Sequence, residues 1–298
     1  MEVGVVGLGK MGYSLALNMH DKGHEVYLFS SSREKIAGAG QKGLSGATDA
    51  AAFLSVFRGR RLVWLMVPAG EPVDDMLETF IPLLKEGDIL VDGGNSHYRD
   101  SLRRAATAEK AGLVYADIGI SGGPTGARNG ACMMVGASDE VFSYLKPLLK
   151  DICKEGGYLR IGNSGAGHYV KMVHNGIEYG MMQAIAEGFE LMESGPYMLD
   201  FQALANLWNN GSVISSWLIE LTARMFAADP QLEAIDSVAG SSGTGRWTVE
   251  EGLKNNVPLP VISQALYARY RSADQDSFAA KVVAGLRREF GGHEVVEK

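Results

Sequence analysis

A short segment in the middle of the chain, residues 170–180 with the sequence VKMVHNGIEYG, concentrates side chains that can do chemistry. Lys171, His174, Asn175 and Glu178 follow the spacing i, i+3, i+4 and i+7, so on an α-helix they share one face. Most such polar faces point at solvent. Asn and His, however, are weak helix formers and poor choices for solubility alone. The stripe is therefore either a solvated face or a polar group that lines a cleft, and the rest of the chain must indicate what it could act on.

The N-terminal segment VGVVGLGKMGYSLALNMHDKGHEVYLFS reads as strand, glycine turn, helix and second strand. Its glycines have the spacing G-x-G-x-x-G, which permits a tight turn, a close approach of a diphosphate and close packing of helix on strand. The free N–H groups and the dipole of the helix favour phosphate at this end. We therefore expect a dinucleotide here, bound by Gly7, Leu8, Gly9, Lys10, Met11 and Gly12.

The second strand of this unit ends in Ser30, Ser31, Ser32 and Arg33. A site specific for NAD usually places an acidic residue here, to bind the ribose 2′-hydroxyl. Three hydroxyls and a guanidinium would instead suit a 2′-phosphate, so the cofactor is expected to be NADP or NAD, with NADP favoured. The alternative is that the serines only cap the next helix.

Further strands alternate with helices in the segments RLVWLMVP, DILVDGGNS, LVYADIGIS and ACMMVGA. In open α/β sheets, ligands lie outside the carboxyl ends of the strands. We therefore expect the loops after these strands to border the nucleotide site. The residues concerned are Val67, Pro68, Ala69 and Gly70, then Asn95 and Ser96, then Ser121, Gly122 and Gly123.

The strand pattern fades near residue 165, and helical patterns follow at 165–194, 201–209, 215–226, 248–255, 260–272 and 278–290. This change predicts an α/β fold, with an N-terminal Rossmann-like doubly wound sheet followed by an all-helical C-terminal domain. The predicted domains are 1–163, which binds the dinucleotide, and 164–298, which binds substrate and forms a dimer.

Composition narrows the class of protein. Of the 298 residues, 46% are hydrophobic and 21% charged, which is typical of a globular protein with a real core. The net charge of −7 argues against nucleic acid as a partner. No apolar run approaches the ~20 residues of a membrane span.

The remaining signals concern location and metals. The two cysteines, Cys132 and Cys153, suggest no disulfide framework, and Met1 leads straight into a strand. We therefore expect a cytoplasmic protein without a leader segment. The histidines at 97, 168, 174 and 293 show no metal-ligand spacing, so no metal is expected.

Seven motifs occur in an order that indicates a family: GLGKMG at 7–12, DGGNS at 92–96, SGG at 121–123, KMVHNGIEY at 171–179, GTGRWT at 243–248, AR at 268–269, and Arg287 with FGGH at 290–293. With these motifs the chain resembles the 6-phosphogluconate dehydrogenases, specifically their short bacterial form, over essentially its whole length. The nucleotide motifs are shared by all β-hydroxyacid dehydrogenases, whereas the helix at 171–179 and the C-terminal motif are more particular.

The resemblance implies oxidative decarboxylation of 6-phospho-D-gluconate to ribulose 5-phosphate with reduction of a nicotinamide, in the pentose phosphate pathway or in gluconate catabolism. By position, Lys171 matches the general base and Glu178 the general acid. The other matches are His174 and Asn175, which contact substrate or cofactor; Asn95, Ser121, Gly122 and Gly123, which bind substrate; Tyr179, Arg246 and Arg269, which surround the phosphate; and Arg287 and His293, which come from a second subunit.

Two positions depart from the family pattern. Arg246 stands where the family usually has a lysine, which keeps the charge and adds a fork of donors. Ser30, Ser31 and Ser32 replace the common Asn-Arg-Thr motif, which leaves the coenzyme preference open. The implied assembly is a homodimer or homotetramer with shared active sites.

Two other functions remain open at the level of sequence. One is a β-hydroxyacid dehydrogenase acting on an unphosphorylated 3-hydroxy acid, which would have no need for Glu178 or for an arginine cluster. The other is a nucleotide-binding protein without activity, which would be expected to have lost Lys171, Asn175 or Glu178. All three are present.

Overall fold

The computed structural model describes residues 1–274, 276–291 and 294–296. By its internal contacts the chain divides into two compact units, Met1–His174 and Asn175–Lys298. This division falls inside a long helix. The boundary between residues 163 and 164 concerns the functional domains and stays a prediction.

The first unit, all of whose residues are described, contains eight strands, eight α-helices and one short 3-10 helix, Ile81–Leu83. The last α-helix continues into the second unit. The strands are β1 (Glu2–Val6), β2 (Glu25–Phe29), β3 (Ser45–Ala47), β4 (Leu62–Leu65), β5 (Ile89–Asp92), β6 (Val114–Ser121), β7 (Ala131–Gly136) and β8 (Cys153–Gly162). The helices are α1 (Lys10–Asp21), α2 (Arg33–Gly40), α3 (Ala50–Ser55), α4 (Glu71–Phe80), α5 (Tyr98–Lys110), α6 (Gly123–Asn129), α7 (Asp139–Ile152) and α8 (Ala166–Glu193).

The strands form one sheet in the order β3-β2-β1-β4-β5-β6-β7-β8. Every neighbouring pair is parallel except β6 with β7. The strand order reverses beside β1, which pairs with both β2 and β4. A reversal of this kind opens a crevice at the carboxyl ends of the strands, where ligands bind in open α/β sheets.

Alternate strand residues enter two separate buried clusters, because successive side chains point to opposite faces of a sheet. Trp64 belongs to one cluster, while Val63 and Leu65 belong to the other. Both faces are thus buried, as helices on both faces require. The predicted Rossmann-like sheet is confirmed.

Two strands, β3 and β8, escaped the sequence analysis. β3 has only three residues, SGA, and β8 reads CKEGGYLRIG, with charged and glycine residues and a mostly half-exposed pattern. Both lie at edges of the sheet. An edge strand needs no continuous apolar run, so its sequence resembles that of a loop.

The second unit consists of helices in its described residues. After α8 come α9 (Phe201–Asn209), α10 (Trp217–Ala228), α11 (Thr244–Lys254), α12 (Pro260–Ser272) and α13 (Phe278–Gly291). Phe189, Ala205 and Phe226 form part of its buried cluster. The predicted helical C-terminal half is confirmed. Among the described helices, none combines the length and the apolar character needed to cross a bilayer.

The first turns of α8 pack unusually close to the sheet, through glycines. A Cβ built on Gly136 of β7 would lie 2.7 Å from the backbone nitrogen of Gly167, and one on Gly167 would lie 2.5 Å from the carbonyl oxygen of Met134. The buried Asp117 carboxylate of β6 accepts hydrogen bonds from the backbone N–H groups of Gly165 and His168. Backbone therefore packs on backbone, and a carboxylate fixes the start of the helix.

This packing predicts that Gly136→Ala destabilises the protein by about 1–3 kcal/mol, the usual cost of overpacking, because the backbone of α8 cannot yield as a side chain could. Gly38→Ala in α2 is the matched control. No atom lies within 4 Å of its added Cβ, so it should stabilise by up to about 1 kcal/mol. Urea unfolding of both variants measures the difference, and equal stabilities would contradict the close packing.

Candidate functional site

The glycine turn after β1 has the geometry that a diphosphate needs. Gly7 has a φ of +97°, and a Cβ there would lie 2.6 Å from the carbonyl oxygen of Met66. A Cβ on Gly12 would lie 2.1 Å from the carbonyl oxygen of Gly7, whereas no atom lies within 4 Å of the corresponding position on Gly9. The backbone is thus closely packed at Gly7 and Gly12, and open where a ligand would approach.

The N-terminus of α1 is free to bind an anion. No side chain caps it, and its first turn contains no acidic residue. Leu8 is 7% exposed and belongs to the core, so it can offer a ligand only its backbone. Lys10 is exposed beside Gly9. These features fit a nucleotide diphosphate.

The serines after β2 are partly engaged in local structure. Ser32 is the N-cap of α2 and accepts a hydrogen bond from the backbone N–H of Lys35, at 3.3 Å. Ser30 accepts from the backbone N–H of Ser32, at 3.2 Å. In both cases the oxygen accepts, so the hydroxyl hydrogen can still be donated. Ser31 and Arg33 are exposed. The capping role considered from the sequence is therefore real for Ser32, and it does not exclude binding of a phosphate.

The loops after β4 and β5 expose one set of residues and bury another. Pro68 and Asn95 are exposed, Val67 and Ala69 are half-buried, and Ser96 is 3% exposed. The buried hydroxyl of Ser96 donates to the carboxylate of Asp92, at 2.7 Å. Asn95 is thus exposed on a loop whose next residue is anchored.

Lys171 of α8 is buried, with 5% of its surface exposed. Its Nζ lies 3.3 Å from Nδ1 of His174, whose Nε2 lies 3.2 Å from the hydroxyl of Ser121. A Cβ on Gly119 of β6 would lie 2.3 Å from the Cβ of Lys171, so only glycine permits this position of the lysine. The lysine amine is thus buried against β6 and lies beside an imidazole.

The segment at the end of β6 turns through two left-handed glycines. Gly122 has a φ of +114° and Gly123 a φ of +58°, and α6 begins at Gly123. Non-glycine residues rarely adopt such angles. Lys171, His174, Ser121, Gly122 and Gly123, all predicted site residues, thus lie together within the first unit.

A cavity of about 440 Å³ lies within the second unit. Its lining residues are Asn175, Glu178, Tyr179, Gly240, Ser241, Ser242 and Arg269. Four of them were predicted from the sequence. Gly240, Ser241 and Ser242 were not, because they lie in an irregular segment whose only signal is the adjacent GTGRWT motif. The cavity combines a carboxylate, hydroxyls and a guanidinium, which suits a polar, anionic molecule.

Tyr179 organises one wall of this cavity. The guanidinium carbon of Arg269 lies 3.4 Å from the centre of its ring, and its phenolic oxygen accepts from the backbone N–H of Ser242. Burial alone would raise the pKa of the Tyr179 phenol, but hydrogen bonds from Ser241 and Ser242 and the charge of Arg269 outweigh it and lower that pKa. The surroundings of the phenol therefore favour negative charge.

Asn175 is fixed by a second group of hydroxyls. Its side-chain amide donates to the hydroxyl of Thr244, at 3.2 Å, and Thr244 also contacts the hydroxyl of Ser242, at 3.2 Å. A Cβ on Gly176 would lie 2.6 Å from Cγ2 of Thr248, which explains the glycine after Asn175. Thr244 and Thr248, both buried, were missed as supporting residues.

Arg246 and Arg287, two predicted residues of the second unit, are not among the residues that line this cavity. Arg246 is exposed on α11 and forms an ion pair with Glu250, at 3.3 Å. Arg287 is exposed on α13. His293 lies outside the described residues. Among the residues that are described, no group of three or more His, Cys, Asp or Glu side chains could hold a metal ion.

These features define the class of protein. The mostly parallel sheet, the glycine turn and the open helix end form a Rossmann-like dinucleotide-binding domain, here followed by a domain of helices. Residues 2–165 match the family model described as the NAD binding domain of 6-phosphogluconate dehydrogenase, and residues 167–293 match the 6-phosphogluconate dehydrogenase C-terminal domain. The chain belongs to the 6-phosphogluconate dehydrogenase family.

Individual relatives agree with this assignment. The chain is 43% identical to an NAD(+)-dependent, decarboxylating 6-phosphogluconate dehydrogenase of Haloferax volcanii, over 100% of this chain and 99% of the relative. A solved 6-phosphogluconate dehydrogenase of Plasmodium falciparum, studied with its cofactor NADP+ and its substrate 6-phosphogluconate, matches with a TM-score of 0.84 and 31% identity. The match covers 100% of this chain and 66% of that one.

The same fold also occurs in a 3-hydroxyisobutyrate dehydrogenase of Salmonella typhimurium, with a TM-score of 0.77 and 21% identity over 93% of this chain and 95% of that one. At this identity the likeness concerns the fold alone.

The lowered pKa of Tyr179 gives a prediction that depends only on residues of the second unit. The ultraviolet titration of the wild type minus that of Tyr179→Phe gives the signal of Tyr179. We expect the pKa of this signal to lie below the usual tyrosine value near 10. Arg269→Gln should move it upward, because the nearby positive charge is removed. Because the folded state binds this proton less tightly than the unfolded state, the free energy of unfolding gains from Tyr179 as pH rises through the lowered pKa toward 10. This gain is lost as pH falls below the lowered pKa. A Tyr179 signal that titrates above the ordinary range would contradict the geometry.

Proposed function

We propose that the protein oxidises and decarboxylates 6-phosphogluconate to ribulose 5-phosphate and carbon dioxide, and reduces a nicotinamide coenzyme. Membership of the 6-phosphogluconate dehydrogenase family supports this reaction. The observation that carries it for this chain is the buried Lys171, held against Gly119 and linked to His174, on the same helix as Glu178. The proposed functional domains are 1–163 for the coenzyme and 164–298 for the substrate.

The first step needs a base at the C3 hydroxyl of the substrate. The buried amine of Lys171 takes the hydroxyl proton as the C3–H bond breaks. When bound, the nicotinamide supplies the hydride acceptor. The His174 and Ser121 side chains hold the lysine and can bind substrate hydroxyls, and the left-handed turn at Gly122 and Gly123 leaves backbone close to them.

The second step breaks the C1–C2 bond of the resulting 3-keto acid. Its electron pair stays on C2 and spreads toward the C3 oxygen, which receives a proton from the Lys171 ammonium. Carbon dioxide leaves, and an enediol remains. Glu178 then protonates C2 while Lys171 takes back the hydroxyl proton, which leaves the lysine protonated and the glutamate ionised. Transfer of one proton from Lys171 to Glu178 restores both groups before the next turnover.

The cavity of the second unit is the proposed phosphate end of the substrate site. Arg269 brings a positive charge, and Ser241 and Ser242 bring hydroxyl and backbone donors. Phosphate is bound well by such a combination. Arg246 and the partner residues Arg287 and His293 remain proposed additions to this end.

The direct experiment measures reduced coenzyme and carbon dioxide together, with 6-phosphogluconate and, as comparison, 3-hydroxyisobutyrate. The proposal expects equal amounts of both products from 6-phosphogluconate alone. Lys171→Ala and Glu178→Gln should each lower turnover by about 10²–10⁴-fold, the usual contribution of a positioned acid or base.

The control for these variants is Glu187→Gln, on the exposed side of the same helix, where Glu187 accepts a hydrogen bond from Gln183 at 2.9 Å. It should leave turnover unchanged. Full activity of Lys171→Ala would remove the lysine from the mechanism, and reduced coenzyme without carbon dioxide would favour a simple 3-hydroxy acid dehydrogenase.

The proposed coenzyme preference is for NADP. Ser30 and Ser32 keep a hydroxyl hydrogen to donate, Arg33 is exposed beside them, and no acidic side chain ends β2. Related enzymes are described with either coenzyme: the Haloferax volcanii enzyme as NAD(+)-dependent and the Plasmodium falciparum enzyme with NADP+. The preference of this chain therefore depends on its own residues.

Ser30→Asp tests this preference. An aspartate can still accept the hydrogen bond of Ser32, so the turn is kept, while its charge repels a 2′-phosphate. We expect kcat/KM for NADP relative to NAD to fall by about tenfold or more, which is ~1.4 kcal/mol. Ser45→Asp, an equal charge change on exposed β3, is the control. An unchanged ratio in Ser30→Asp would remove the basis for NADP preference.

The proposed assembly is a homodimer or a homotetramer, with active sites shared between subunits. The described part of α13 exposes an apolar stripe at the spacing i, i+4 and i+8: Phe278, Val282 and Leu286 are 78%, 43% and 58% exposed. Such a stripe on a helix of a folded protein indicates a surface that another element covers. Arg287 lies directly beside it.

Complementation tests the shared site. Lys171→Ala and Arg287→Ala should each be inactive alone, and mixing them under conditions of subunit exchange should restore activity, because one of the two sites then carries neither defect. Arg288→Ala is the control on the same helix, where Arg288 pairs with Glu289, and it should stay active alone. No recovery after proven exchange, or an active monomer in sedimentation, would refute the shared site.

The proposed location is the cytoplasm, where thiols stay reduced. Cys132 and Cys153 are both free.

A further inference from the structure

Arg104 of α5 is a fully buried arginine that the proposed reaction does not use. Its side chain has 0% exposure. Burial of a guanidinium costs free energy unless its charge and its N–H donors are paired. The partners of Arg104 therefore show which parts of the chain it holds together. Those partners lie in the loops after two neighbouring strands, β4 and β5.

The first set of contacts reaches the loop after β4 and the start of α4. Nη2 of Arg104 donates to the carbonyl oxygen of Gly70 at 2.8 Å, and Nε and Nη2 donate to the carboxylate of Asp74 at 2.9 and 3.2 Å. Gly70 has a φ of +90°, so the chain makes a sharp turn at this contact. The hydrogen bonds of Arg104 are the largest cause that lowers the pKa of Asp74, which is about 2.

The second set of contacts reaches the loop after β5. Nη1 of Arg104 donates to the hydroxyl of Ser96 at 2.9 Å and to the carboxylate of Asp92 at 3.3 Å. The same carboxylate accepts from the hydroxyl of Tyr115 and from the backbone N–H of Gly94, both at 3.1 Å. A single planar guanidinium therefore joins both loops, with all three nitrogens engaged.

The residues held in this way flank the residues expected to touch the coenzyme. Gly70 ends the segment 67–70, and Ser96 directly follows the exposed Asn95. The loops follow the carboxyl ends of β4, which pairs with β1, and of β5, which is the next strand beyond β4. The turn after β1 fits the diphosphate. If such loops are displaced by about 1 Å, affinity for the coenzyme falls, because no new contact replaces the contacts that are lost.

We infer that Arg104 is a positioning residue for the nicotinamide coenzyme: it fixes the spacing of loops 67–70 and 94–96 without touching the ligand. The identity of the ligand rests on the proposed function. Arg104 thus acts on affinity for the coenzyme through Gly70 and Ser96. A purely structural role would instead change stability and leave the coenzyme affinity of the folded protein intact.

Calorimetric titration of the full-length protein with NADPH and NADH separates these roles. Arg104→Gln removes the positive charge and the three-nitrogen guanidinium that joins the two loops. We expect coenzyme affinity to fall by about tenfold or more. Arg104→Lys keeps the charge but cannot bridge both loops, so it should be weakened as well. Melting temperatures are measured on the same samples.

Two matched controls lie beside Arg104. Arg103, the preceding residue, also binds Asp74, at 2.9 Å, but its side chain is 55% exposed. Arg103→Gln should keep affinity within about twofold. Tyr115→Phe removes one hydrogen bond from Asp92 inside the same buried cluster. It should lower the melting temperature and keep affinity, because the bridge between the loops remains.

The outcomes are distinct. Arg104→Gln that melts earlier but binds coenzyme like the wild type would overturn the inference, as would equal weakening in Tyr115→Phe. If Arg104→Gln does not fold, Arg104→Lys decides in the same way. If the wild-type protein binds coenzyme but does not decarboxylate 6-phosphogluconate, the proposed function is wrong. The inference about coenzyme binding would still stand.

Discussion

The contact between the first turns of α8 and the sheet is the constraint on which the rest of the first unit depends. Gly119, Gly136 and Gly167 remove the side chains that would keep helix and strands apart. The helix can then begin on a buried carboxylate, that of Asp117, and bury Lys171 against β6. Larger residues at these positions would move Lys171 away from His174 and Ser121. The position of Lys171 therefore depends on three glycines, which carry no side chain.

Much of the fold could be read from the sequence, because parallel strands buried on both faces form continuous apolar runs and glycines mark their turns. The helices at 201–209 and 260–272 end as predicted. β3 and β8 could not be found, since edge strands carry no such run. The antiparallel pairing of β6 with β7 also has no local signal, because pairing direction depends on how the chain returns across the sheet.

The site was predictable to a similar degree and for a similar reason. Residues on one helix face or in a recognised motif could be named, as were Lys171 and Tyr179. The supporting residues, such as Asp117 at the start of α8 and Thr244 beside Asn175, are distant in sequence and ordinary in type. Ser32 shows a further limit: its hydroxyl caps α2 and still keeps a hydrogen to donate, whereas sequence alone offers capping and binding as alternatives.

The long helix α8 belongs to both compact units, and the border between them falls between His174 and Asn175. The stripe Lys171, His174, Asn175 and Glu178 is therefore divided by that border although the helix is continuous. Recombination between related genes at this point would exchange Asn175 and Glu178 while leaving Lys171 and His174 in place. An evolving lineage could in this way vary one half of the stripe without altering the packing that buries the other half.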